Sequence, residues 1–119
     1  PWSFQTEGGG TEHRYGFVGQ PESTLPPTRF YGSPSLYVNG SLVVADIRDE
    51  VYKAIGGNQA VVVHENASTA QWGEFILGRF SNQNYSFEGT FQEMLFFTTD
   101  QSANRTTIEA ALKGYFGVV

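Results

Sequence analysis

Leu36-Tyr37-Val38-Asn39-Gly40-Ser41-Leu42-Val43-Val44 is the stretch on which the fold turns. Two short apolar runs flank Asn39-Gly40, a dipeptide whose residues both tolerate the positive φ that a type I′ turn demands. The reading is a β-hairpin, and it makes the sheet around it antiparallel.

Working outward, Asp46 to Lys53 is charged and stops at Gly56-Gly57, the pattern of a solvated loop or a turn of helix. Ala60-Val61-Val62-Val63-His64 is continuous and β-branched, as a strand buried on both faces would be. Glu74 to Phe80 reads as a further strand. Tyr85 to Thr98 carries the longest strand pattern, with Phe87, Phe91, Leu95 and Phe97 around Gly89, a site for a bulge or bend. The period then changes. Asp100-Gln101-Ser102 offers an N-cap, and Ala103, Ile108, Ala111, Leu112, Tyr115 and Phe116 recur at helical spacing, predicting a helix over 102–116 with those residues inward. Thr106, Glu109 and Lys113 fall on its outer face, and Gly117 is the stop. Residues 1–34 read as an irregular arm, with Gly8-Gly9-Gly10, the breakers Pro21, Pro26, Pro27 and Pro34, and one short strand at Tyr15-Gly16-Phe17-Val18. Trp2 and Phe4 in this arm are candidate anchors to its own domain or to a neighbour, because exposed aromatics seek a covering surface.

The 119 residues suffice for one compact domain. There is no cysteine, which excludes disulfides and thiolate metal sites. Charged residues make up 16% and aromatics 15%, a composition that suits an aromatic-rich β module. Seven basic residues against twelve acidic ones leave a net charge of −5, which argues against duplex DNA and anionic membranes as partners. Apolar runs are too short for membrane insertion. The chain opens at Pro1 rather than Met, as a processed chain or a piece of a longer one does.

The C-terminal stretch from Phe87 to Phe97, with its "G-x-hydrophobic-x-E-hydrophobic" pattern, leads through Asp100 to Thr106 into a helix ending Tyr115-Phe116-Gly117. This order resembles the ending of concanavalin A-like lectin/glucanase jelly rolls of the laminin-G-like kind. Leu36 to Gly40 is similar to that family's Asn-Gly hairpin, and Ile76-Leu77-Gly78-Arg79 to its "hydrophobic-Gly-Arg" strand. The resemblance covers roughly residues 35–119, and the Asp100–Thr106 variant is similar to versions in bacterial surface and phage virion proteins. It implies a mainly β fold, an antiparallel jelly-roll or β-sandwich portion over 35–119 with a C-terminal amphipathic helix. In that family further strands precede the hairpin. Here the remainder lies outside this chain, comes from a partner, or has been trimmed, and the uncovered edges this leaves imply self-association or strand sharing.

Candidate chemistry is sparse. The family's glucanases use a Glu-x-Asp-x-Glu strand, and none occurs here. Asp49-Glu50 are adjacent, and Glu88 and Glu93 point to opposite faces of a regular strand, so no paired carboxylates form a glycosidase site. His13 and His64 lack a nucleophile-elbow context, and His64 reads as a satisfied edge residue. Asp46, Asp49 and Glu50 are interleaved with Arg48 and Lys53, which suits a charged turn better than a calcium loop. No catalytic residue, metal or cofactor is expected. Two polar loops pair Asn and Gln with an aromatic: Glu65 to Trp72 and Ser81 to Tyr85. Trp72, Asn82, Asn84 and Tyr85 are the candidate carbohydrate-binding residues.

Four of the six asparagines (Asn39, Asn66, Asn84 and Asn104) begin N-x-S/T sequons. The hairpin accounts for Asn39 and the resemblance for Asn104. Asn66 and Asn84 are left as candidate N-glycosylation acceptors. The expectation is a non-catalytic extracellular or virion-surface module in a fibre, spike or decoration assembly, attaching to cell-surface glycan. The alternative is a stand-alone lectin or carbohydrate-binding domain of a secreted protein.

Overall fold

The structure, a computed structural model, describes residues 4–7, 13–15, 21–25, 32–67, 74–77, 79–80, 85–86 and 90–119. Its elements in chain order are β1 (Phe4–Glu7), β2 (His13–Tyr15), β3 (Gly32–Val38), β4 (Ser41–Val43), α1 (Arg48–Ile55), β5 (Val62–Ala67), β6 (Glu74–Leu77), β7 (Arg79–Phe80), β8 (Tyr85–Ser86), a 3-10 turn (Ser102–Asn104) and α2 (Arg105–Phe116). All pairings are antiparallel. They build one sheet in the order β2-β1-β6, a second in the order β4-β3-β5, and the pair β7-β8.

The hairpin forms where the sequence places it. Asn39 and Gly40 have φ of 52° and 92°, the two positive values of a type I′ turn. The turn is also stitched to the next strand. The Asn39 amide donates to the Val61 carbonyl at 2.9 Å, and the Val61 amide donates to Asn39 Oδ1 at 2.8 Å. A side chain thus continues the ladder at the point where the backbone turns away from it.

Strand register sorts the side chains of this sheet onto two faces. Leu36 lies opposite Val43 on one side and His64 on the other, while Tyr37 lies opposite Leu42 and Val63. Residues alternate along a strand, so Leu36, Val38, Val43, Val62 and His64 share the first face. Leu36, Val38, Ala45 and Val51 form the buried core there, with Val43, Ile55, Ala60 and Val62 packed around it. Each fully buried Leu or Val is worth about 1.5–3 kcal/mol. Helix α1 supplies Val51 and Ile55, so the charged stretch from Asp46 resolves as a helix over the core.

The N-terminus of α1 is held from two directions. Glu50 reaches back to accept from the Asp46 and Ile47 amides at 2.7 and 3.3 Å. The amides of Arg48 and Asp49 donate to the carbonyls of Leu25 and Ser23 at 2.9 and 3.3 Å. Residues 21–25 thereby act as a lid on the helix start. These bonds satisfy amides that the first turn leaves without partners.

Helix α2 covers the second face of the sheet. It ends at Gly117, whose φ of 68° is the left-handed stop the sequence predicts. Its orientation corrects the expectation. Arg105, Ile108, Glu109, Leu112, Lys113 and Phe116 form the shielded stripe, whereas Ala103, Ala111 and Tyr115, expected inward, are exposed. Glu109 and Lys113, expected outward, face in. Tyr37 and Glu65 on the sheet receive Arg105, and Arg105 in turn holds Glu109 on the same side of the helix.

Three further strands differ from expectation. The valine run forms β5 two residues later than its apolar start. It lies at an edge of its sheet among the described residues, so Val62 and Val63 are half-buried rather than enclosed. The N-terminal stretch contributes β1 and β2, with β1 central between β2 and β6; residues 16–18 of the short strand expected there lie outside the described residues. Of the long strand expected over 85–98, Tyr85–Ser86 pairs with β7, residues 87–89 lie outside the described residues, and residues 90–98 take no strand. Alternation gives a segment the means to pair, but only a neighbouring strand makes a ladder.

Candidate functional site

Among the described residues, a group of charged and aromatic side chains lies between α2 and the second face of the β4-β3-β5 sheet. Its centre is Arg105, at the first turn of α2. The guanidinium carbon lies 3.8 Å from the centroid of the Tyr37 ring. Nη1 donates to Glu109 Oε2 at 3.0 Å, and Nε faces Glu65 Oε1 at 3.5 Å. Three elements therefore meet on one side chain: Tyr37 from β3, Glu65 from β5 and Glu109 one turn along α2.

This arrangement holds charge rather than moving it. A guanidinium stays protonated and offers five donors in a planar fork, so it suits two carboxylates and a ring face at once. Glu109 is 3% exposed, and its Oε1 has no hydrogen-bond partner among the described residues. Its Oε2 lies 3.4 Å from where a Cβ on Gly40 would stand. The hairpin turn, the sheet and the helix are locked together around the carboxylate. Sequence reasoning missed this group. The i, i+4 spacing of Arg105 and Glu109 was visible, but the Tyr37 and Glu65 contacts join residues far apart in the chain.

His64 shares the core face with Leu36. Both ring nitrogens are shut off from solvent although the residue keeps some exposure, and burial pulls its pKa down to about 4. It lies within β5, not at the end of the strand. At neutral pH it is an uncharged part of the sheet.

The charged groups near α1 are paired locally. Asp49 forms an i, i+4 ion pair with Lys53 at 2.5 Å and accepts from the Glu22 amide at 2.8 Å. The Lys53 hydrogen bond, then that amide, holds the Asp49 carboxyl below its ordinary value, and Asp49 in turn raises Lys53. At the start of α2, Asp100 accepts from the hydroxyl and the amide of Ser102, which lowers its carboxyl in the same way. Among the described residues no group of three or more His, Cys, Asp or Glu is placed to hold a metal ion. No helix among them is long and apolar enough to cross a membrane.

The residues singled out from sequence are scattered. Trp2, Trp72, Asn82 and Asn84 lie outside the described residues. Phe4 stands in β1 opposite Leu77, and Tyr85 in β8 opposite Phe80. Of the sequon asparagines, Asn39 is committed to the hairpin through its Oδ1, and Asn104 donates from Nδ2 to Gln101 Oε1 at 3.0 Å. Asn66 is exposed, with a φ of 61° near the end of β5.

No family model, no curated protein and no solved structure matches this chain.

Proposed function

We propose that this chain is a non-catalytic structural module of an extracellular or virion surface, a fibre, spike or decoration element built on a concanavalin A-like antiparallel sandwich. The observation that carries the reading is the apolar segment over residues 91–97. Leu95, Phe96 and Phe97 are 48%, 62% and 53% exposed, next to one another in a stretch with the alternation of a strand. Helix α2 likewise turns Tyr115 and Ala111 out to solvent. Three consecutive exposed apolar side chains of this size mark a place where another surface seats.

The polar cluster around Arg105 fits the same reading. It is a joint that holds a helix to a sheet, and its carboxylates are engaged with a guanidinium rather than open to a substrate. Attachment to glycan belongs to this proposal through Trp72, Asn82, Asn84 and Tyr85, on the composition of their loops.

The test is the native mass by light scattering, with intact-chain mass spectrometry on the same material. An assembly module gives a particle of several chains whose mass falls when Phe96 is replaced by Lys. A folded monomer at all concentrations refutes the reading, and glycan binding by that monomer moves the function to a lectin.

A further inference from the structure

We propose that residues 21–25 are a releasable strap that caps α1 from outside, so that freeing the strap unwinds the helix and loosens the core beneath it. The inference goes beyond the assembly reading and holds for a single copy of the chain.

Helix α1 is poorly equipped to start itself. Its N-cap is Ile47, whose side chain offers no acceptor, at a position that favours Ser, Thr, Asp or Asn. The helix has eight residues, Arg48–Ile55, and one so short is marginal in water without support from its surroundings. Glu50 serves the amides of Asp46 and Ile47. The next two amides, of Arg48 and Asp49, lie too early in the helix to bond within it. The strap supplies both acceptors, the Leu25 carbonyl at 2.9 Å and the Ser23 carbonyl at 3.3 Å.

The strap depends on the helix in return. The Glu22 amide donates to Asp49 Oδ1 at 2.8 Å, so Asp49 gives one amide bond to the strap and takes one from it. Glu22 holds a φ of 58°, a left-handed conformation that costs a residue other than glycine and persists where neighbouring bonds fix it. Glu22, Thr24 and Leu25 stand exposed, with Ser23 half-buried between them. The three bonds to the first turn of α1 supply that fixing.

What the strap guards is the core. Val51 closes the first turn of α1 and is fully buried with Leu36, Val38 and Ala45, while Ile55 packs against them. In the chain, residues 21–25 lie between β2 and β3. The strap therefore ties the N-terminal arm to the helix over the β4-β3-β5 sheet, and strap and helix open as one cooperative unit.

Amide hydrogen exchange, read by NMR on full-length protein, tests this. Glu22→Pro strikes the strap alone, because proline has no amide and cannot take a positive φ. Glu22→Gly keeps the amide and adopts that φ freely. In the proline variant exchange is expected to rise about tenfold, the loss of roughly one net hydrogen bond. The rise extends beyond Arg48 and Asp49 to Tyr52, Lys53, Ala54 and Ile55, whose amides bond inside the helix, while β3 keeps its protection. The glycine variant keeps the parent's rates. From the helix side, Asp49→Ala removes the Oδ1 acceptor and repeats the proline pattern. Lys53→Ala breaks the Asp49 ion pair alone and does not; this second pair of variants decides the matter if the proline variant fails to fold. Faster exchange confined to Arg48 and Asp49, with residues 52–55 unchanged, overturns the proposal, as do the parent's rates throughout in a folded Glu22→Pro protein.

Discussion

Arg105 lies face-on to Tyr37, its guanidinium carbon 3.8 Å from the ring centroid, while the same guanidinium faces a carboxylate on each side. One side chain therefore couples a helix to two strands. The planar ion gives up little hydration to stack on the ring, and stacking leaves its edges free for Glu65 and Glu109.

Replacing Arg105 by Ala removes, among the described residues, the cation that these two carboxylates share, and leaves both oxygens of the buried Glu109 without a partner there. The expected loss is about 3 kcal/mol, the cost of breaking a buried pair from one side. Arg105→Lys recovers less than half of it, because an ammonium cannot stack and bridge together. Urea unfolding of the three proteins checks this. Equal stability of the Ala variant and the parent would show that the joint contributes nothing.

At the hairpin, Gly40→Ala is opposed by the backbone. Its φ of 92° lies where L side chains are strained, while the new methyl carbon makes ordinary contact, 3.4 Å from Glu109 Oε2. Asn39→Ala loses the Oδ1 that accepts from the Val61 amide. Each is expected to cost about 1–2 kcal/mol. The pair should be less than additive if the turn acts as one unit, which a double-mutant cycle by thermal unfolding measures.

His64 makes stability depend on pH in a defined window. Its folded pKa of about 4 lies below the ordinary 6.5 because burial penalises the charged ring. Above pH 6.5 neither state binds the proton, and the contribution is fully present. Between 6.5 and 4 the unfolded chain takes up a proton that the native state refuses, so stability falls as pH falls, by on the order of 3 kcal/mol in all. Below about 4 this group adds no further loss. His64→Gln should flatten that part of the profile relative to the parent, measured as the difference in urea midpoint between pH 7 and pH 4.5. Parallel profiles for the two proteins would assign the acid sensitivity elsewhere.

Much of this architecture is local and was legible in the sequence. Asn39-Gly40 forms its turn because two adjacent residues accept positive φ. Helix α2 ends at Gly117 because that residue alone decides whether the chain can leave in the left-handed conformation. The valine run is a strand because branching at Cβ favours the pleat. None of these needs a distant partner.

What tertiary structure decided is which side of each element meets which other. The apolar rule would turn Ala111 and Tyr115 of α2 inward, yet Arg105 and Glu109 face the sheet because register brings Tyr37 and Glu65 to that face. The alternation over 91–97 is strand-like by itself, yet these residues take no strand, because alternation supplies side-chain facing and not a partner edge. His64 shows the same division. Its place after three valines foretold a strand, but only the register opposite Leu36 put its ring on the core face and set its charge. Local sequence determined the hairpin turn, the valine strand and the stop of α2; contacts between residues far apart in the chain determined which other segments pair, and which way each element faces.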